Sequence, residues 1–327
     1  MKLAILGAGA WGTALALTLS GRHRVTLWGR DPEVMAQVGA NRMNERYLPG
    51  HPLPAHLAIT SRFDQAVGDA DLALVAVPVA GLRETLKTLL HHRPDLPVVW
   101  ACKGFEQGSD FMPHQVVAET LQSGTVSGVL SGPSFAEEIA SGLPAAITLA
   151  SFQSEFAQHM ARSLHGHRLR LYSSTDVVGV ELAGALKNVI AIASGLSDEL
   201  GLGLNARAAL ITRGLAEIAR LGVALGGRAE TFMGLSGLGD LVLTCTGALS
   251  RNYRVGQGLA RGQTLAEILE QLGHVAEGVT SALTASRLAH HHQVEMPITA
   301  AVQGVLSGAL TAHEAVEALL AREPRSE

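Results

Sequence analysis

The sequence predicts an α/β fold: a doubly wound parallel sheet in the first half, followed by an all-helical C-terminal domain. Three observations carry this. Short runs rich in Val, Ile and Leu recur at 3–6, 24–28, 72–76, 98–101, 127–130 and 145–149, with helical patterns between them. Strands buried on both faces and separated by helices are what a parallel sheet requires. A glycine-rich turn, Gly7-Ala8-Gly9-Ala10-Trp11-Gly12, follows the first run directly and opens a helix over 11–20. From about Thr175 onward, long Ala/Leu/Glu patterns replace the strand signal.

The elements can be justified in order. The run at 3–6, the helix at 11–20 and the run at 24–28 form one βαβ unit. Asp31-Pro32-Glu33 then places a cap, a first-turn proline and a first-turn acid at a helix start. In the second half, 264–272, 278–292 and 311–322 are helical by period. The expected boundary lies inside or just before a long helix near 176–196. It divides the chain into a dinucleotide-binding domain over 1–178 and a helical substrate and catalytic domain over 179–327.

Composition narrows the function classes. Apolar residues make up 47% of 327 residues, enough for a sizeable core, which excludes an intrinsically disordered chain. A net charge of −4 without a basic block argues against nucleic-acid binding. Cys102 and Cys245 lie far apart and form no metal-ligand spacing or disulfide framework, so a reducing compartment is expected. No apolar window of about 18 residues escapes charge or proline, so no membrane span is expected either. The N-terminal apolar run is broken by glycines and does not read as a signal peptide. A cytoplasmic location follows; a homodimer is among the assemblies the sequence allows.

A lone GxGxxG is a weak signal, but here it has the strand before it and the helix after it that a Rossmann-type dinucleotide site needs. Gly7 permits the tight turn, Gly9 lets a pyrophosphate approach the backbone, and Gly12 lets helix and strand pack closely. Ala10 and Trp11 complete the loop, and N–H groups at the helix start face the phosphates. The end of the second strand ordinarily selects the cofactor, an acid choosing NAD and an arginine tolerating a 2′-phosphate. Here it reads Trp28-Gly29-Arg30-Asp31. Arg30 is placed to meet a phosphate and Asp31 to cap the next helix, so NADP(H) is favoured while NAD(H) stays open.

Lysine is scarce: Lys2, Lys87, Lys103 and Lys187 stand against 21 arginines. Lys103 follows the strand run at 98–101, at a carboxyl end, where ligands of open α/β sheets bind. Lys187 has Ala183, Gly184, Ile190 and Ala191 as its helical neighbours, with no carboxylate among them. Such a lysine is either desolvated for proton transfer or snorkelling at a domain edge; residue pattern alone weighs these evenly.

Six blocks in sequence order then carry a resemblance: GAGAWGTALA, ACKGFE, LSGPSFAEEIA, ELAGALKNVIAIASG, GLGDLVLTCTG with LSRNYRVG, and HVAEGV. Together they resemble the bacterial NAD(P)-dependent glycerol-3-phosphate dehydrogenases over residues 7 to 278. One departure is Ala10, where the family commonly has Ser; the backbone phosphate contacts should survive it. The resemblance implies reversible reduction of dihydroxyacetone phosphate, a small phosphorylated three-carbon substrate, to sn-glycerol 3-phosphate for phospholipid synthesis. It makes Lys187 the catalytic acid/base and Lys103 a contact to cofactor and substrate. Gly132, Ser134, Asp240, Ser250, Arg251 and Asn252 become substrate contacts, Arg251 also lying near the cofactor. Ala136, Val275 and Glu277 become further cofactor contacts.

Elementary chemistry agrees in part. Hydride addition to a ketone builds negative charge on oxygen, so a cationic donor must stand beside it. Ser250-Arg251-Asn252 offers a cap, a guanidinium fork and an amide at a helix start, suited to a phosphate. Asp240 has two readings, a plain turn residue or the carboxylate that positions Lys187; on residue pattern alone the turn is favoured. His290-His291-His292 and His91-His92 read as solvated helix ends and not as metal ligands, Cys245 as a small buried filler, and Glu137-Glu138 as first-turn acids. No metal is expected. The rivals are another phosphate-directed or ketopantoate-type reductase, whose ketopantoate substrate lacks phosphate, and a non-catalytic dinucleotide sensor, which would need neither Lys187 nor Arg251.

Overall fold

The computed structural model describes residues 1–273 and 276–322. It divides into two compact units, Met1–Val177 and Val178–Glu327.

The first unit contains β1 (Lys2–Leu6), β2 (Arg24–Trp28), β3 (Met43–Asn44), β4 (Leu48–Pro52), β5 (Ala58–Thr60), β6 (Leu72–Val75), β7 (Val98–Trp100), β8 (Ser127–Ser131), β9 (Ala145–Ala150) and β10 (Leu169–Ser174). Its helices are α1 (Ala10–Ser20), α2 (Pro32–Asn41), α3 (Phe63–Val67), α4 (Leu82–His92), α5 (Pro113–Thr120), α6 (Ala136–Ala140) and α7 (Ser154–Leu164). Eight strands form one sheet in the order β10-β9-β8-β7-β6-β1-β2-β5, while β3 and β4 make a separate antiparallel pair. The chain starts mid-sheet, builds outward through β2 to β5, then returns to the other side of β1 for β6, β7 and β8. That reversal puts a topological switch point between β1 and β6, where ligands of such sheets bind at the strands' carboxyl ends. All four residues of β6 and all three of β7 are buried, because helices from both crossover directions cover the two faces.

The sheet is mostly parallel, as the strand pattern predicts, with one antiparallel junction. β9 pairs antiparallel with β8, and β10 runs parallel to β9, so the last two strands oppose the other six. Burial of a strand reports its faces and carries no information about its direction. β5 and β10 also escape the apolar-run criterion. β5 is three residues long and only partly covered, and β10 alternates buried Leu169 and Leu171 with exposed Arg170 and Tyr172, an edge-strand pattern.

The second unit is helical throughout its described residues: α8 (Val177–Glu199), α9 (Gly203–Ala224), α10 (Ala229–Phe232), α11 (Asp240–Thr246), α12 (Arg251–Ala260), α13 (Leu265–Leu272), α14 (Glu277–His291), α15 (Pro297–Leu306) and α16 (Ala312–Leu320). A π-helical turn, Leu235–Gly239, leads into α11. α8 is long and apolar enough to cross a membrane, but 94% of its apolar window is buried inside the protein, and it carries Glu181 and Lys187. It is a core helix. Glu217 of α9, 1% exposed, holds the start of α15: its carboxylate accepts from Ile298 N (2.7 Å), Thr299 N (3.1 Å) and Thr299 Oγ1 (3.2 Å). Burial nevertheless pushes the Glu217 carboxyl above its ordinary pKa, and those donors only partly offset it.

Candidate active site

The glycine turn sits at the switch point. Gly7 has φ +122°, and a Cβ there would come within 2.8 Å of the Ala76 carbonyl carbon just past β6. A Cβ on Gly12 would come within 1.9 Å of the Gly7 carbonyl oxygen, so helix and strand meet without a side chain between them. Gly9 is the opposite case: a Cβ there would meet nothing within 4 Å, which leaves open space beside the backbone. Gly9 is also the N-cap of α1 and offers no side chain to its first-turn N–H groups, and no acid stands in that turn. Donors, open space and absence of negative charge fit a pyrophosphate. Ala10 and Trp11 are the first two residues of α1, both half-buried.

Asn44 braces this loop from β3. It is fully buried, and its Nδ2 donates to Ala8 O (2.9 Å) and Thr13 Oγ1 (2.8 Å). At the end of β2, Asp31 caps α2 by accepting from Glu33 N (3.0 Å) and Val34 N (3.2 Å), while Arg30 is exposed.

The carboxyl ends of β7 and β8 gather a second group. Lys103 Nζ donates to Gly132 O (3.4 Å), and Ser134 Oγ donates to the same oxygen (2.9 Å). Gly132 has φ +135°, and a Cβ there would come within 3.0 Å of Ile147 Cα, so the turn lies flat on β9. Ala136 follows as the first residue of α6. The Lys103 loop is pinned by Glu106, which accepts a fork from Arg83 Nε (2.8 Å) and Nη2 (2.7 Å) and a bond from Ser109 Oγ (2.7 Å). The Arg83 guanidinium holds the Glu106 carboxyl below the usual carboxylate range.

In the second unit, Lys187 is 8% exposed on α8 and donates to Asp240 Oδ1, on a residue only 1% exposed. Asp240 therefore stands at the start of α11, after the π-helical turn, with its carboxylate on a lysine 53 residues away. Thr244 Oγ1 donates to Asp240 O (2.5 Å) and lies 3.5 Å from Oδ1, fixing the carboxylate from one turn on. A buried ammonium needs such a partner. Cys245 lies beside the pair, and burial pushes its thiol up to about 12, which leaves it an unreactive filler.

Three helices meet next to Lys187. A Cβ on Gly256 of α12 would come within 2.0 Å of Ile192 O on α8. One on Gly278 of α14 would come within 2.7 Å of Asn188 O and 2.8 Å of Asn252 Oδ1. Gly278 N donates to Asn252 Oδ1 (3.0 Å), which turns the amino end of that amide the other way. Backbone contact thus gathers Lys187, Asn252 and Glu277, the first residue of α14, around one junction. Ser250 is the N-cap of α12, accepting from Tyr253 N (3.2 Å), and Arg251 opens the helix, exposed and with no acid in the first turn. Tyr253 is fixed in turn by a 2.6 Å bond to Asp198. Val275 lies outside the described residues.

The structure thus distributes the candidate residues by unit. Gly7 to Gly12, Arg30, Lys103, Gly132, Ser134 and Ala136 belong to the first, and Lys187, Asp240, Ser250, Arg251, Asn252 and Glu277 to the second. Arg30 is separate from the Lys103 group, at the end of a strand three places along the sheet. Sequence reasoning did not find Asn44 or the Arg83–Glu106 fork, whose partners are remote in sequence, or Thr244, a neutral side chain one turn from Asp240. Among the described residues, no cluster of His, Cys, Asp or Glu could hold a metal.

A phosphate-directed glycine turn at the switch point of a doubly wound sheet, with a buried lysine in a following helical unit, is the layout of a dinucleotide-dependent dehydrogenase. Comparison with known proteins agrees and is more specific. The profile described as NAD-dependent glycerol-3-phosphate dehydrogenase N-terminus matches residues 2–157, and the one described as its C-terminus matches residues 176–317. A glycerol-3-phosphate dehydrogenase (NAD(P)+) of Dechloromonas aromatica is 57% identical over 327 residues, covering 100% of this chain and 99% of the relative. One of Aromatoleum aromaticum is 58% identical over 328 residues, covering both chains completely. The crystal structure of glycerol-3-phosphate dehydrogenase from Coxiella burnetii superposes with a TM-score of 0.93 at 42% identity, over 98% of this chain and 99% of that one. The chain belongs to the NAD-dependent glycerol-3-phosphate dehydrogenase family.

Proposed function

We propose that the protein interconverts dihydroxyacetone phosphate and sn-glycerol 3-phosphate with NAD(P)H, in the cytoplasm and in supply of glycerophospholipid synthesis. The observation that carries the mechanistic part of this reading is the buried Lys187–Asp240 pair, beside a helix start bearing Arg251 and Asn252. When bound, the reduced nicotinamide supplies a hydride to the ketone carbon. The domain over 1–178 holds the cofactor: the first turn of α1 binds the pyrophosphate, and Arg30 meets a 2′-phosphate where one is present. Lys103, Gly132, Ser134 and Ala136 line the carboxyl edge of the sheet for cofactor and substrate.

The domain over 179–327 carries the proton chemistry. Lys187 Nζ stands as an ammonium against the developing alkoxide and gives it a proton; in the reverse direction it takes that proton back. Asp240 fixes the direction of the amine and balances its charge. Arg251 and Asn252 clamp the phosphate through a guanidinium fork and an amide at the N-terminus of α12, with Ser250 fixing the turn that carries them. Val275 and Glu277 complete the cofactor contacts. Steady-state assays of purified protein with dihydroxyacetone phosphate, first with NADPH and then with NADH, test the reading. Turnover with either cofactor is expected; turnover with neither would overturn it.

A further inference from the structure

The edge of the sheet beyond β2 holds a second cation that the family blocks do not include. β5 runs parallel to β2 with Trp28 paired to Thr60, and the pairing extends one residue further through Gly29 N to Thr60 O (3.2 Å). Two residues past Trp28 stands Arg30, and two residues past Thr60 stands Arg62. The two arginines therefore leave neighbouring strand ends at the same height, on the carboxyl edge where the cofactor binds.

The loop carrying Arg62 is held firmly. Trp28 Nε1 donates to Ser61 O (3.0 Å), the Trp28 and Phe63 rings meet edge to face at 5.0 Å, and Arg62 N donates to Thr60 Oγ1 (3.0 Å). The Arg62 side chain is 65% exposed and forks onto Asp64, with Nε to Oδ1 at 3.3 Å and Nη2 to Oδ2 at 2.6 Å. An exposed pair of this kind holds weakly, and a phosphate dianion competes with a single carboxylate for the same planar fork. Asp31, a further carboxylate at this edge, already accepts from two helix N–H groups.

We propose that Arg62 reads the 2′-phosphate of NADPH together with Arg30, its guanidinium exchanging Asp64 for the phosphate. The proposal deepens, and rests on, the reading that Arg30 meets that phosphate. It makes discrimination between the two dinucleotides a property of two adjoining strand ends.

The test is direct binding to the intact protein. Kd values for NADPH and NADH are measured by fluorescence titration, and for adenosine 2′-monophosphate and 5′-monophosphate by calorimetry, in wild type, Arg30→Ala, Arg62→Ala, the double variant and Asp64→Asn. Arg62→Ala should weaken NADPH and the 2′-phosphate probe roughly three- to tenfold, with NADH and the 5′-phosphate probe unchanged. Unchanged NADH binding also shows that the variant is folded. Asp64→Asn should tighten NADPH about twofold by releasing the fork. If Arg30→Ala loses NADPH affinity and Arg62→Ala does not, the Arg62 role is overturned while the Arg30 reading stands. If neither variant changes NADPH binding, both fail. Equal losses for both dinucleotides on Arg62→Ala would make the residue structural and likewise overturn the proposal.

Discussion

Replacing Asp240 with Asn separates what the buried pair does for the fold from what it does for the chemistry. Lys187 and Asp240 are 8% and 1% exposed, so neither charge has much access to solvent. Removing one member of such a pair costs about 3–5 kcal/mol, because the remaining charge is buried without a counter-charge. For a unit of this size each 1 kcal/mol moves Tm by about 2–4 °C, so the helical unit of Asp240→Asn should melt roughly 6–20 °C lower. Differential scanning calorimetry reads this, with near-ultraviolet dichroism at assay temperature confirming that the variant is folded. Activity should fall with it, since the amine is no longer aimed. The companion variant is Lys187→Met with Asp240→Leu. An apolar pair of similar volume removes both charges and should regain most of the lost stability while remaining inactive. A Tm change below about 2 °C in Asp240→Asn would refute the reasoning, as would a double variant whose loss equals the sum of its two single losses.

Arg251→Lys should lower kcat/KM for dihydroxyacetone phosphate about tenfold or more, because an ammonium cannot reproduce the fork, and unphosphorylated dihydroxyacetone should be a very poor wild-type substrate. Efficient turnover of that ketone would show that the clamp does not exist. Gly12→Ala places a methyl within 1.9 Å of the Gly7 oxygen, so it should cost about 1–3 kcal/mol of stability and weaken NADPH and NADH alike; wild-type affinity for both would contradict the packing account. Glu217 has its carboxyl pKa raised by burial, so its stabilisation is complete below the ordinary value near 4.5 and is lost as pH rises through the folded-state pKa. Glu217→Gln should therefore flatten the fall in Tm above that pH, and parallel wild-type and variant curves would count against it.

Much of the first unit was legible because its strands are buried on both faces and its turns carry their own chemistry. The glycine turn, the Asp31 cap and the scarce lysines announce themselves within a few residues. Direction is another matter. Residues 145–149 read as a strand, but nothing in their apolar pattern says that β9 opposes β8. β5 was hidden by its length and β10 by the exposure of Arg170 and Tyr172. In the second unit, helix existence followed from period, and the structure adds that Thr264 and Thr311 each make a capping box with an acid three residues on. The ion pair did not. Lys187 has no carboxylate within a helical turn, and Asp240 after a glycine run looks like turn chemistry. Only the fold brings them together across 53 residues. Asn44 stayed unseen for the same reason, a neutral amide whose purpose appears once Ala8 and Thr13 are beside it.

The central claim is that Lys187 gives and takes the proton at the substrate oxygen, and the most direct measurement is kcat of Lys187→Ala beside a direct NADPH titration of the same sample. General acid–base assistance contributes about 10²–10⁴-fold. The account predicts a fall in kcat of at least that order with NADPH affinity unchanged, and a nearly equal fall in Lys187→Arg, whose guanidinium does not release its proton near neutral pH. A kcat close to wild type in Lys187→Ala would contradict the account, and loss of NADPH binding would make Lys187 a structural residue instead.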